Sequence, residues 1–130
     1  MADEKQKILI VDDEEAIHGL FEVINRRALK GDYELCHAYN GQKGIEAYKQ
    51  HKYNLIFTDN EMPVKKGLEA SLEIKQEAEK NNHNVTVVLM SGTLEKKDIP
   101  NHINYFLRKP FDVKEAVEII KKTYDKSGDK

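Results

Sequence analysis

Short apolar runs alternate with longer segments whose apolar positions recur every three or four residues. Lys7–Val11, KILIV, is rich in branched residues and reads as a buried strand. From Glu14 to about Leu29, apolar residues fall at Ile17, Leu20, Phe21, Ile24 and Ala28, one stripe at helical spacing. Tyr33–Ala38 mixes Glu34 and His37 with Leu35 and Cys36, as an edge strand does. Asn40-Gly41 signals a turn, and Gln42–His51 is helical with Ile45, Ala47 and Tyr48. NLIFT is a second buried strand, ending at Asp59. Gly67 to about Lys80 is helical with a poorly defined stripe. Val85–Met90 is the most continuous strand, and Ile103–Leu107 is the fifth. Asp112 can cap a last helix carrying Val113, Ala116, Val117, Ile120 and Tyr124.

Strand and helix thus alternate five times. Short connections between such elements demand parallel strands and right-handed crossovers. Apolar runs without alternation are what strands covered on both faces require. The expected fold is an α/β three-layer sandwich around a five-stranded parallel sheet. The 130 residues fit one domain, 1–130, with its core at about 6–125 and frayed tails at 1–5 and 126–130.

Composition narrows the function classes. A hydrophobic fraction of 39% with 34% charged residues is that of a folded, soluble chain. A net charge of −2 without a block of like charge argues against nucleic-acid binding by bulk charge. One cysteine, Cys36, permits no internal disulfide and suggests no zinc site; it reads as a small core residue. MADEKQK is polar and acidic, not a signal peptide, and no apolar run approaches a membrane span. The expected compartment is the cytoplasm.

In open parallel sheets ligands bind beyond the carboxyl ends of the strands. There the sequence puts Asp12 and Asp13 after the first strand, Asp59 after the third, Ser91 and Gly92 after the fourth, and Lys109 and Pro110 after the fifth. Each alone has an ordinary explanation as a cap, a turn opener or a solvated lysine. Their convergence on one rim favours a site. Carboxylates crowded there repel unless a cation intervenes. Magnesium, or manganese, takes oxygen ligands from one or two carboxylates and phosphate oxygens. The remaining groups suit phosphoryl transfer: a carboxylate to attack phosphorus, and a lysine and a hydroxyl to stabilise its oxygens.

These residues resemble the receiver domain of two-component response regulators across nearly the whole chain. The resemblance is carried by ILIVDDE, AYNG, LIFTDNEMP with Gly67 beyond it, VVLMSG and YFLRKPF. It implies the flavodoxin-like strand order 2-1-3-4-5. It implies Asp59 as phosphoacceptor and Asp12 and Asp13 as the acid pair. Asp13, Asp59 and the backbone carbonyl of Glu61 are then direct metal ligands. Ser91 is the hydroxyl that moves onto the phosphoryl group, Lys109 the cation, and Phe106 the switch aromatic. A cis Lys109–Pro110 bond and a histidine kinase or histidine phosphotransfer protein as partner are also implied, with an unknown downstream target. Glu61 and Thr93 match positions that flank the water path to the acyl phosphate. The Glu61 side chain either modulates that phosphate or simply faces solvent.

One segment departs from the pattern. Only fourteen residues separate Ser91 from Phe106, and Pro100 disfavours helix before it. A fourth helix of a turn or two, or an irregular loop, is expected. That argues against a dimer through helix four, strand five and helix five, and for a monomer. The leading reading is a phosphorylation-dependent switch that catalyses only its own phosphorylation and dephosphorylation. A relay intermediate remains open. A phosphatase with an aspartate nucleophile would want Asp-x-Asp after the first strand, where Asp12-Asp13-Glu14 stands. A flavin-binding module would want a phosphate loop there, which VDDEE repels. A pseudo-receiver would lack a site residue. His18, on a helix of an α/β chain, does not read as a phosphoacceptor.

Overall fold

The computed structural model describes residues 5–125. The expectation of frayed tails therefore falls, apart from Lys5, outside the described residues. Five parallel strands, β1 (Gln6–Val11), β2 (Tyr33–Ala38), β3 (Leu55–Asp59), β4 (Thr86–Ser91) and β5 (Tyr105–Arg108), form one sheet in the order β2-β1-β3-β4-β5. Four α-helices accompany them among the described residues: α1 (Glu15–Val23), α2 (Gly41–His51), α3 (Gly67–Lys80) and α4 (Val113–Asp125).

The alternation of side chains along a strand divides the core in two. Leu9, Val11, Ile56, Val87 and Leu89 pack with Ile45, Tyr48, Ala70 and Ile74 from α2 and α3. Ile8, Ile10, Leu55, Phe57, Val88 and Met90 pack with Phe21 of α1 and Ala116, Ile119 and Ile120 of α4. Each fully buried side chain of this size contributes about 1.5–3 kcal/mol. Both sheet faces are covered, which is why the inner strands carry unbroken apolar runs. Among the described residues β2 pairs only with β1, as its mixed composition predicts.

Three local features depart from regular strand-and-helix geometry. First, α1 does not continue regularly to Leu29. Its last turn, Ile24–Ala28, widens into a π-helix, beside which the Asn25 side chain both donates to the Tyr33 carbonyl and accepts from its N–H. Second, the segment between β4 and β5, where a helix of a turn or two or an irregular loop is expected, holds a single 3₁₀ turn, Lys96–Asp98. Leu94 and Ile99 tie that segment to the core, and His102 Nε2 meets the Ser71 hydroxyl of α3 at 3.0 Å. Third, α3 starts hard against the end of β3. A Cβ on Gly67 would lie 2.2 Å from the Asp59 carbonyl oxygen, so only glycine allows that approach. The fifth strand begins at Tyr105, two residues later than expected: Asn104 N–H bonds the Val87 carbonyl, but its side chain is committed to Val87 N–H and Lys75.

Candidate functional site

In-register parallel pairing delivers the strand ends to one edge. Val11 pairs with Thr58, Asp59 with Met90, and Ser91 with Arg108. Asp12, Asp59, Ser91 and Lys109 are each the last residue of a strand or the one after it, so the register brings them together. Lys109 Nζ lies 2.9 Å from Asp12 Oδ2 and 2.9 Å from Asp59 Oδ1, and 3.6 Å from Glu14 Oε1. Asp12 and Asp59 are buried, at 0% and 3% exposure, whereas Asp13 is exposed. The Lys109–Pro110 peptide is cis.

Burial dominates the electrostatics. It pushes the Asp59 carboxyl up to about 6; Asp12 and Glu61 add to the rise, and Lys109 opposes it. Burial likewise raises Asp12, against the pull of Lys109 and the Glu14 amide. For Lys109 burial acts downward, but its close contacts with the carboxylates of Asp12 and Asp59 outweigh it and the ammonium is held above its ordinary value. The contact between Lys109 and Asp59 Oδ1 is a close charge contact rather than an aligned hydrogen bond. Among the described residues that enclosed oxygen accepts no hydrogen bond.

Ligand oxygens of Asp12, Asp13 and Asp59 lie within 4.8 Å of one another. With all three ionised, one ammonium leaves two negative charges uncompensated. An all-oxygen donor set, a surplus of two charges and an enclosed oxygen without a hydrogen bond fit a hard divalent cation.

The other expected site residues are placed as follows. Ser91 is fully buried at the end of β4. Its hydroxyl donates to Glu61 Oε2 at 2.6 Å, and its oxygen accepts from the amides of Thr93 and Leu94 at 3.0 and 2.9 Å. Thr93 is exposed and donates to the same Glu61 oxygen. Burial pushes Glu61 upward, but hydrogen bonds from Ser91, Thr93 and Asn60 prevail and hold its carboxyl below the ordinary value. Phe106 is half-buried against the α2–α3 side of the core. The Arg108 guanidinium carbon stands 5.9 Å from the Phe106 ring centroid, and Arg108 Nη2–H donates to the Leu94 carbonyl.

Two residues matter that sequence reasoning left unassigned. Asn60 accepts from Gly67 N–H through its carbonyl and from Leu68 N–H through its side chain, pinning α3 to the site. His18 is buried, and its Nε2–H donates to the Asp12 carbonyl at 2.8 Å. A carbonyl only accepts, so the tautomer follows from the partner. A polar residue beside the apolar stripe of α1 was the available signal for His18.

Comparison with known proteins gives a consistent result. The family model described as response regulator receiver domain matches residues 8–121. The chain is 35% identical over 72 residues to the chemotaxis protein CheY of Halobacterium salinarum, covering 55% of this chain and 57% of that one. The response regulator protein TrrA of Thermotoga maritima, solved in complex with Mg2+-BeF, has a TM-score of 0.75 at 27% identity, covering 91% of this chain and 98% of that one. The receiver domain of a Saccharomyces cerevisiae response regulator, co-crystallised with a histidine phosphotransfer protein, shares the fold at a TM-score of 0.80 and 24% identity; the co-crystal match covers 91% of this chain and 88% of that one. The chain spans less than two thirds of the length of the first curated relatives it matches: 57%, 8% and 50%.

Proposed function

The chain belongs to the response regulator receiver domain family, and on that premise we propose that it is a signalling switch whose Asp59 accepts a phosphoryl group from a histidine kinase or histidine phosphotransfer protein. The observation that carries this reading is the Asp59 carboxylate itself. It is buried, charge-paired with Lys109, and has one enclosed oxygen without a hydrogen bond. In the transfer, an Asp59 oxygen bonds to phosphorus as the phosphorus–nitrogen bond of the donor phosphohistidine breaks. The imidazole nitrogen keeps the electron pair and takes a proton from solvent. Hydrolysis restores the carboxylate: water bonds to phosphorus, the phosphorus–oxygen bond to Asp59 breaks with its electron pair staying on the carboxylate, and the water proton passes to phosphate or solvent.

Asp13, Asp59 and the backbone carbonyl of Glu61 would hold a magnesium ion beside the acceptor, with Asp12 behind them. Bound there, the ion would neutralise charge on the phosphoryl oxygens. Lys109 serves as a second, fixed positive charge. The Ser91 hydroxyl donates to a phosphoryl oxygen, and its displacement lets Phe106 change position and alter the partner-binding face. The 3₁₀ turn at Lys96–Asp98 stands between β4 and β5, where a dimer through a helix joining those strands would need one, so a monomer is the state this reading favours.

Intact-mass measurement after incubation with a small acyl phosphate and Mg2+ tests the reading. One phosphate should be added to the parent and none to Asp59→Asn. A parent that takes no phosphate with Mg2+ present would refute it.

A further inference from the structure

The Glu61 side chain turns back over the sheet edge. Its Oε2 accepts from the Ser91 hydroxyl at 2.6 Å, the Thr93 hydroxyl at 2.9 Å and Asn60 Nδ2 at 3.2 Å. Its Oε1 receives the Gly92 amide at 3.4 Å. Four donors converge on one carboxylate. Three of them come from residues 91–93, on the rim that ends β4, beside Asp59 at the end of β3.

A hydroxyl has one hydrogen to give. The Ser91 oxygen is already an acceptor for two amides, Thr93 and Leu94, so its rotamer is fixed and its proton goes to Glu61. The Thr93 proton goes to the same oxygen. Neither hydroxyl can serve Glu61 and a phosphoryl oxygen together. The two anions therefore compete for one donor set. Glu61 is also free to leave it: the residue is exposed on the loop after β3, and among the described residues no cation pairs with its carboxylate.

We propose that the Glu61 carboxylate is a displaceable internal plug that fills the Ser91–Thr93 donor set and must swing out before a phosphoryl group on Asp59 can engage it. The inference rests on the phosphoacceptor reading of Asp59. It separates two effects that a negative side chain near the site could have. Charge repulsion acts wherever the carboxylate stands. A plug acts only while the carboxylate reaches Ser91 and Thr93.

Titration with beryllium fluoride in the presence of Mg2+, followed by amide NMR, distinguishes them. Glu61→Ala should bind the phosphoryl mimic roughly tenfold more tightly, the worth of one charge-assisted hydrogen bond no longer competing. Glu61→Asp keeps the charge but is one methylene too short to reach both hydroxyls, and should show most of that gain. In a Ser91→Ala, Thr93→Ala background, Glu61→Ala should gain little. An Glu61→Asp variant as weak as the parent, or a gain that persists without the two hydroxyls, overturns the plug in favour of repulsion. If the parent binds the mimic and takes phosphate on Asp59 but Glu61→Ala binds no better, the plug falls and the phosphoacceptor reading stands. If neither parent nor variant binds the mimic or takes phosphate, both fall.

Discussion

Neutralising Asp59 should stabilise the metal-free protein. Burial, with help from Asp12 and Glu61, raises this carboxyl from 3.8 to about 6, although Lys109 opposes the rise. Between those values the folded chain holds a proton that the unfolded chain has released. Stability therefore falls as pH rises through this window. Above about 6 the cost is fully present, and below 3.8 both states are protonated and it vanishes. At 1.36 kcal/mol per pH unit the full cost is about 3 kcal/mol. Asp59→Asn keeps the shape and removes the charge. Urea unfolding with a chelator at about pH 7.5 should show the variant more stable by about 3 kcal/mol, equivalent to roughly 10 °C in Tm for a chain of this size. At about pH 5 the gap should shrink to about half. Mg2+ at roughly millimolar concentration should stabilise the parent and narrow the gap, because only the parent retains the full carboxylate set. A variant no more stable than the parent, or a gap unchanged by acid, would refute the charge argument.

Three further predictions concern the frame of the fold. Gly67→Ala places a methyl 2.2 Å from the Asp59 carbonyl; an expected loss of about 2–3 kcal/mol, with slower acyl-phosphate labelling of Asp59, would be read by urea unfolding and intact mass, and an unchanged midpoint would show that α3 can shift freely. Val64 has φ 73° and is 76% exposed, a left-handed conformation that a β-branched residue adopts at a cost. Val64→Gly should raise stability by about 1 kcal/mol, and a less stable variant would show that the valine makes compensating contacts. His83 accepts from the Tyr48 hydroxyl and donates to Asn54, and burial with the nearby Lys52 charge holds it below its ordinary value. The unfolded chain then binds this proton first, so the stability it confers is present above about pH 6.5 and is lost as pH falls through the folded value. Urea midpoints of His83→Gln should decline less than those of the parent between about pH 7.5 and 5, and parallel curves would exclude the effect.

What the sequence made legible follows from the range of each interaction. The strands and the rim were readable because a parallel sheet buried on both faces writes apolar runs, and the residue that ends each run is placed without further information. Asp12, Asp59, Ser91 and Lys109 are brought together by register alone. The short 92–104 segment was readable from its length and Pro100. Three features were hidden for separate reasons. The stripe of α3 is carried by Ala70, Ser71, Ile74 and Ala78, small residues that hydropathy undercounts; Ser71 is wholly buried because Leu68 and His102 satisfy its hydroxyl. The widened last turn of α1 accompanies the two bonds between Asn25 and Tyr33, which no helical periodicity encodes. The direction of the Glu61 side chain depends on donors some thirty residues away. Sequence could place that carboxylate just after β3 but not its direction, because the direction depends on the path of residues 91–93 and on side-chain rotamers that no strand periodicity encodes. The backbone frame of this site is thus written locally, strand by strand, whereas the contacts that tune it are written between strands.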